Sequence, residues 1–193
     1  SCDGTPNYSG GKAGGTIVTT YTVRVIGSGG TATMNSLVYD FSGSSYHYGN
    51  DYGSRSITVT AQTPPNISLV KSVSPSGTQP PGTDLVYTVN FSNSGNLAAQ
   101  QFILVDPDTS TTLKINDNTD FKVGSVSTTL GGFTGVTVAY SNNGGATFAY
   151  TPASGAGGAP AGYDRNVTHV RWTFTGSLAS SGSGSVSFTA RIR

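Results

Sequence analysis

Charged residues are scarce in this 193-residue chain, at 10%, and the two signs nearly cancel to a net charge of +1. Binding to nucleic acid draws on a field of lysine and arginine that displaces counterions from phosphates, and no stretch supplies one. Cysteine is down to one residue, Cys2, so no disulfide can close within the chain. The two histidines, His47 and His169, lie far apart with no second histidine or cysteine at ligand spacing, which argues against a zinc site. No apolar run approaches the length of a membrane-crossing helix. There is no Gly-x-Ser-x-Gly elbow, no phosphate loop and no glutamate pair suited to glycoside hydrolysis. Nothing in the chain points to catalysis, and no cofactor is expected.

What is abundant is glycine (27), with nine prolines and many serines and threonines. No segment keeps a helical stripe, and the expectation is an all-β sandwich with one thin core and two solvated faces. The clearest pattern is ISLVKSVSPSGTQPPGTDLVYTVNFSNSGNLAAQQFILVD, residues 67–106. It reads as three strands with period-2 alternation, separated by Pro-Ser-Gly, Pro-Pro-Gly and Asn-Ser-Gly-Asn turns. Ile67, Leu69, Lys71 and Val73 share a face of the first strand, and Leu85, Tyr87, Val89 and Phe91 share one of the second. Phe102, Leu104 and Asp106 share a face of the third. Further on, strands are expected at 121–127, 136–141, 146–151, 169–176 and 185–193. The pair 136–141 and 146–151 reads as a hairpin about Asn142-Asn143-Gly144-Gly145. Trp172 should share a face with Val170 and Phe174.

Before this block, residues 1–15 read as a polar leader and 16–62 as an N-terminal β-segment, with the sandwich occupying 63–193. Within the segment, 16–26 and 31–41 are expected to form a hairpin and 54–61 a third strand. Residues 42–53 are a loop or hairpin tip, and Thr63-Pro64-Pro65-Asn66 is a stiff linker. The opening SCDGTPNYSGG has no charged-then-apolar signal, so the chain is expected to be already processed.

The motifs ISLVKSV, PGTDLVYTVNFSNSGN and FILVDPD resemble the "conserved repeat" domain of bacterial and archaeal extracellular proteins, an immunoglobulin-like module of long surface proteins. NTDFKVGSVST, YSNNGGATFAYTP, GYDRNVTHVRW and SGSGSVSFTARIR continue the match in the family's order, over about two thirds of the chain. The resemblance implies an immunoglobulin-like sandwich, an extracellular or cell-surface location, and service as a spacer, stalk or fibre subunit. In that family a strand like SVSFTARIR is followed by a turn, an Asn-containing strand and a closing strand. Here GSGG, TATMNSLVYDF and SRSITVTA stand near the beginning instead. Thr20-Tyr21-Thr22-Val23-Arg24-Val25 also repeats Ser187-Phe188-Thr189-Ala190-Arg191-Ile192 in residue type.

Two explanations fit. In the first, the chain is a fibre subunit whose N-terminal segment completes a neighbouring copy, with Tyr21, Val23 and Val25 as buried donor residues and Phe188, Ala190 and Ile192 lining the acceptor. An unfilled sheet edge invites such strand addition, and a head-to-tail contact propagates into a homopolymer. In the second, the chain is a slice of a tandem array.

The remaining candidates are local. Some Ig-like surface domains join a lysine to an asparagine through a self-formed isopeptide bond assisted by a buried acid, and the resemblance in fold offers Lys71, Asn35 and Asp106 for those roles. The plainer alternative has Lys71 reaching to water near a sheet edge and Asp106 capping a turn. Cys2, in a flexible tip, could form an interchain disulfide or stay a free thiol. Tyr46, Tyr48 and Tyr52 crowd one loop that could bind glycan or another surface, as in an adhesin module. Asp106-Pro107-Asp108 and Asn116–Asp120 offer oxygen ligands but match no calcium loop, and turn formation accounts for them. Asn-x-Ser/Thr at Asn7, Asn66, Asn90 and Asn166 permits glycosylation without indicating it.

Overall fold

A computed structural model describes residues 22, 24, 29–35, 39–42, 45–48 and 54–193 of the chain. The protein is all-β, with no α-helix among the described residues. It divides into two compact units, Ser1–Ala61 and Gln62–Arg193.

In the first unit, β1 (Gly30–Asn35) pairs antiparallel with β4 (Ser54–Val59), and β2 (Tyr39–Ser42) pairs with β3 (Ser45–Tyr48). The single strand expected over 31–41 is therefore two. The partner of β1 is β4 across Gly30↔Val59 to Asn35↔Ser54, whereas the expected partner, 16–26, falls almost wholly outside the described residues. Thr22 and Arg24, its two described members, are exposed and outside any strand.

The second unit is a β-sandwich. Its strands are β5 (Ile67–Ser74), β6 (Asp84–Asn93), β7 (Ala99–Gln100), β8 (Ile103–Asp106), β9 (Thr119–Lys122), β10 (Ser127–Thr129), β11 (Gly135–Ser141), β12 (Tyr163–Asp164), β13 (His169–Thr175), β14 (Ser177–Leu178) and β15 (Ser183–Ile192). One sheet runs β12-β9-β15-β6-β5, with β10 also on β15; the other runs β11-β13-β8. All these pairings are antiparallel. A small β14-β7 pair lies beside them.

The alternation expected for β6 is what the fold uses. Val89 and Phe91 are buried while Val86 and Asn90 face out. Likewise Val170, Trp172 and Phe174 of β13 are buried on one face. Rings from the two sheets meet between them: Phe91 lies 5.4 Å from Phe174, Phe121 5.5 Å from Tyr140, and Trp172 6.4 Å from Phe188. Such offset and edge-on contacts add to the area term that drives sheet stacking.

Two local expectations change. The strand expected at 121–127 is split into β9 and β10 around Gly124, which has φ +77°. The partner strand at 146–151 is reduced to one bridge, Tyr140↔Tyr150. Its place is taken by side-chain bonding: Ser141 Oγ accepts from the Asn143 and Gly145 amides, and Asn143 Oδ1 accepts from Thr147 N–H. These close a turn without a ladder.

Candidate functional site

The larger sheet ends in β12 and β5 and the smaller in β11 and β8. Among the described residues no partner is paired to the outer edges of β5 and β8. They flank a groove of about 280 Å³ lined by Leu69, Lys71, Val89, Leu104, Asp106 and Leu113, among others. Leu69 is 56% exposed, Val70 59% and Ile103 57%. An alternating strand carries such residues for burial, yet β5 is exposed along almost its whole length. Unpaired edge amides and carbonyls beside exposed apolar side chains make a template for another strand.

Across this groove Lys71 Nζ reaches Asp106 Oδ1 at 2.5 Å. A lysine on an edge strand ordinarily projects into water and blocks association. Lys71 instead turns inward, its side chain 46% exposed, to a carboxylate that is only 7% exposed. Its Nζ also stands 5.2 Å from the centre of the Tyr87 ring, where a cation is attracted to the ring face. Burial first, and then the Asp106 charge, hold the Tyr87 phenol above its ordinary pKa. The second carboxylate oxygen of Asp106 is buried with no hydrogen-bond partner. A buried acceptor left open is costly and calls for a donor.

Lys71 and Asp106 are thus brought together. Asn35, the third member of the expected set, stands at the end of β1, opposite Ser54. The residues expected to form the acceptor lie elsewhere. β15 is an interior strand, paired to β6 on one side and to β9 and β10 on the other. Phe188 and Ala190 are buried in their own core, and Ile192 is half-buried opposite Thr119. A strand satisfied on both sides offers no edge; the unpaired edges beside the groove are those of β5 and β8. The expected donors Tyr21, Val23 and Val25 lie outside the described residues, as do Cys2 and Tyr52. Tyr46 and Tyr48 fall within β3, in register with Phe41 and Tyr39; the expected tip over 42–53 thus takes in one arm of a hairpin.

The acidic turns serve structure. Asp108 accepts from the Ser110 amide at 2.9 Å, and Asp117 from the Lys114 amide at 2.8 Å. Asp120 holds Arg165 through two bonds of 2.8 and 3.0 Å.

Two polar centres escaped the sequence reading. Asp84 accepts from Lys122, Tyr163 and Arg191 at 2.8–2.9 Å, tying β6, β9, β12 and β15 together. Burial raises its pKa, but the bonds from Lys122, Tyr163 and Arg191 outweigh that and hold it at about 2. Asn93, 1% exposed, is the other. Its Oδ1 accepts from the Asn66 and Gly95 amides, and its Nδ2 donates to Leu97, with longer contacts to Leu178 and Ala179 carbonyls. Thr63 N–H donates to Asn96 Oδ1 at 2.6 Å and Leu97 N–H to Thr63 O at 3.2 Å, so the linker is strapped to the turn after β6. The signal available for Asn93 was its position: an asparagine at an inward step of an otherwise apolar alternation, Leu85-Tyr87-Val89-Phe91.

Compared with known proteins, no family model matches the chain and no curated protein matches it.

Proposed function

We propose that the chain is a structural subunit of an extracellular filament, growing head to tail by β-strand complementation. The observation that carries this reading is the open side of the sandwich: two unpaired edges, β5 and β8, converge on a groove with exposed apolar side chains. A strand inserted there gains main-chain hydrogen bonds along the edge and buries the alternate apolar residues. The donor is supplied by residues 16–61 of another copy. Among the described residues β1 and β4 form a two-stranded ribbon with both outer edges unpaired, and such a ribbon is marginal in water unless it joins a larger sheet. Groove and ribbon lie on different parts of one chain, so each subunit can give and receive at once, and the contact repeats without closing. The resemblance to extracellular conserved-repeat domains supports the same role.

Electron microscopy of the purified full-length chain tests the proposal. Filaments are expected, growing longer with protein concentration. A chain that stays monomeric at high concentration but adheres to glycan or cell surfaces would replace this reading with that of an adhesin module.

A further inference from the structure

We propose that Lys71 sets the register of the joint: the strand inserted beside β5 is the run 16–26 of a second copy, antiparallel, with the Thr19 hydroxyl opposite Lys71. This rests on the strand-complementation reading and names the segment and the contact that fix it. The row of β5 that carries Leu69 and Lys71 into the groove is Ile67, Leu69, Lys71 and Val73, opposite Asn93, Phe91, Val89 and Tyr87 of β6. Its other members are apolar, and Leu69 and Val73 are 56% and 37% exposed. Lys71 is the charged step in that row. Among the described residues its ammonium has a single hydrogen-bond acceptor, Asp106 Oδ1, and its side chain is 46% exposed.

An ammonium carries three N–H donors and no acceptor. In the free subunit, solvent can take the two that Asp106 leaves. A strand laid along the edge excludes that solvent, and a donor left unpaired there is costly. The inserted strand must therefore offer an oxygen opposite Lys71, and apolar side chains opposite Ile67, Leu69 and Val73. Directly opposed residues on one face are the nearest neighbours across a ladder.

Read at every second residue, the sequence 16–61 meets this demand in three rows. Ile17-Thr19-Tyr21-Val23 meets it antiparallel to β5. Ala32-Met34-Ser36-Val38 and Tyr46-Tyr48-Asn50-Tyr52 meet it parallel. The strands described all pair antiparallel, the more stable arrangement per residue. Nine of the eleven residues 16–26 are β-branched, against three of the eight in 31–38, and branching at Cβ suits a pleated strand. The third row runs through Gly49 and Asp51, both disfavoured in strands. The register is then Ile17↔Val73, Thr19↔Lys71, Tyr21↔Leu69 and Val23↔Ile67. Thr22 and Arg24 fall on the opposite face of the inserted strand, clear of the groove, and both are exposed in the free chain.

The test uses the full-length chain. For cross-linking it carries Cys2→Ser, so that introduced cysteines are the only ones. Chain with Tyr21→Cys, mixed with chain bearing Leu69→Cys and mildly oxidised, should give a disulfide-linked pair on a non-reducing gel, because opposed strand residues have the Cα spacing a disulfide needs. Val23→Cys with Leu69→Cys, one step out of register, should not. Thr19→Val, which keeps the shape and removes the hydroxyl, should raise the concentration at which filaments first appear about tenfold. Thr19→Ser, which keeps the hydroxyl, and Thr22→Val, on the other face, should leave that concentration within about twofold. No disulfide from Tyr21→Cys, or one from Val23→Cys, Met34→Cys or Tyr48→Cys to Leu69→Cys, would overturn the register and leave strand complementation standing. Filaments of Thr19→Val that form as readily as those of the wild type would overturn the role given to Lys71. A wild-type chain that forms no filaments would overturn the assembly reading and this joint with it.

Discussion

At the scale of single residues, the sandwich stakes its pH dependence on two buried or bonded groups. Asp84 has its folded-state pKa lowered to about 2, against ~3.9 for an unfolded aspartate. A depressed carboxylate contributes stability that is present above the unfolded value and lost as pH falls through the folded one. Stability against urea should therefore decline between about pH 4 and pH 2, and Asp84→Asn should flatten that decline. His169 behaves in the same direction for another reason. It is 1% exposed with neither ring nitrogen hydrogen-bonded; burial lowers its pKa, Asp106 and Asp117 act against the shift, and Lys114 reinforces it. The unfolded chain takes up this proton first, so the contribution is full above ~6.5 and lost below it. The His169 ring protons in an NMR titration should show a midpoint below that value; a midpoint at or above it would contradict the buried, unpartnered ring. Histidine at 169 was visible in the sequence, but its isolation was not. The charges around it come from β8 and from the turn at 114–117, distant in sequence.

At the scale of elements, strand faces could be read directly and strand partners could not. Alternation grouped Val89 with Phe91, Leu104 with Asp106, and Trp172 with Val170 and Phe174, because a residue's face depends on its own strand's pleat, and these groups are buried. Pairing depends on which edges meet, and that is decided by loops and by contacts far along the chain. So β15 was readable as a strand while its central place, between β6 and β9, was not. The same central place makes a sharp prediction. A Cβ at Gly184 would come within 2.4 Å of the Thr129 carbonyl oxygen and 2.5 Å of the Phe91 ring. Gly184→Ala should cost about 1–3 kcal/mol in urea unfolding, the usual range for overpacking a filled site. The edge strand responds in the opposite way. Leu69 is already exposed, so Leu69→Lys should leave unfolding of the isolated subunit within about 0.5 kcal/mol. By placing an added charge where the proposed donor strand would lie, it should reduce filament length under the microscope.

At the scale of the whole molecule, the sandwich unit has its own core, and the proposed strand complementation assigns the acceptor to it and the donor to the other unit. A protein comprising residues 62–193 should therefore receive a donor strand but be unable to pass one on. Added in excess to growing full-length chain, it should shorten filaments in proportion to its concentration; unchanged lengths would count against head-to-tail growth. The groove itself was half legible. Alternation alone put Lys71 on the apolar face of its strand and Asp106 on the face of Phe102 and Leu104, but that they meet across the gap depends on β5 and β8 ending their sheets on the same side.

The strap on the linker has a mechanical consequence. A pull applied through residues 63–66 arrives first at Asn93 and Asn96, whose side chains grip those residues from the turn beyond β6. Asn93 in turn is anchored to the Leu97 carbonyl and backed by those of Leu178 and Ala179, so tension spreads into the body of the sandwich instead of unzipping β5 from Ile67 onward. Cutting that one amide to a methyl, as in Asn93→Ala, would turn a loaded anchor into a tear-strip.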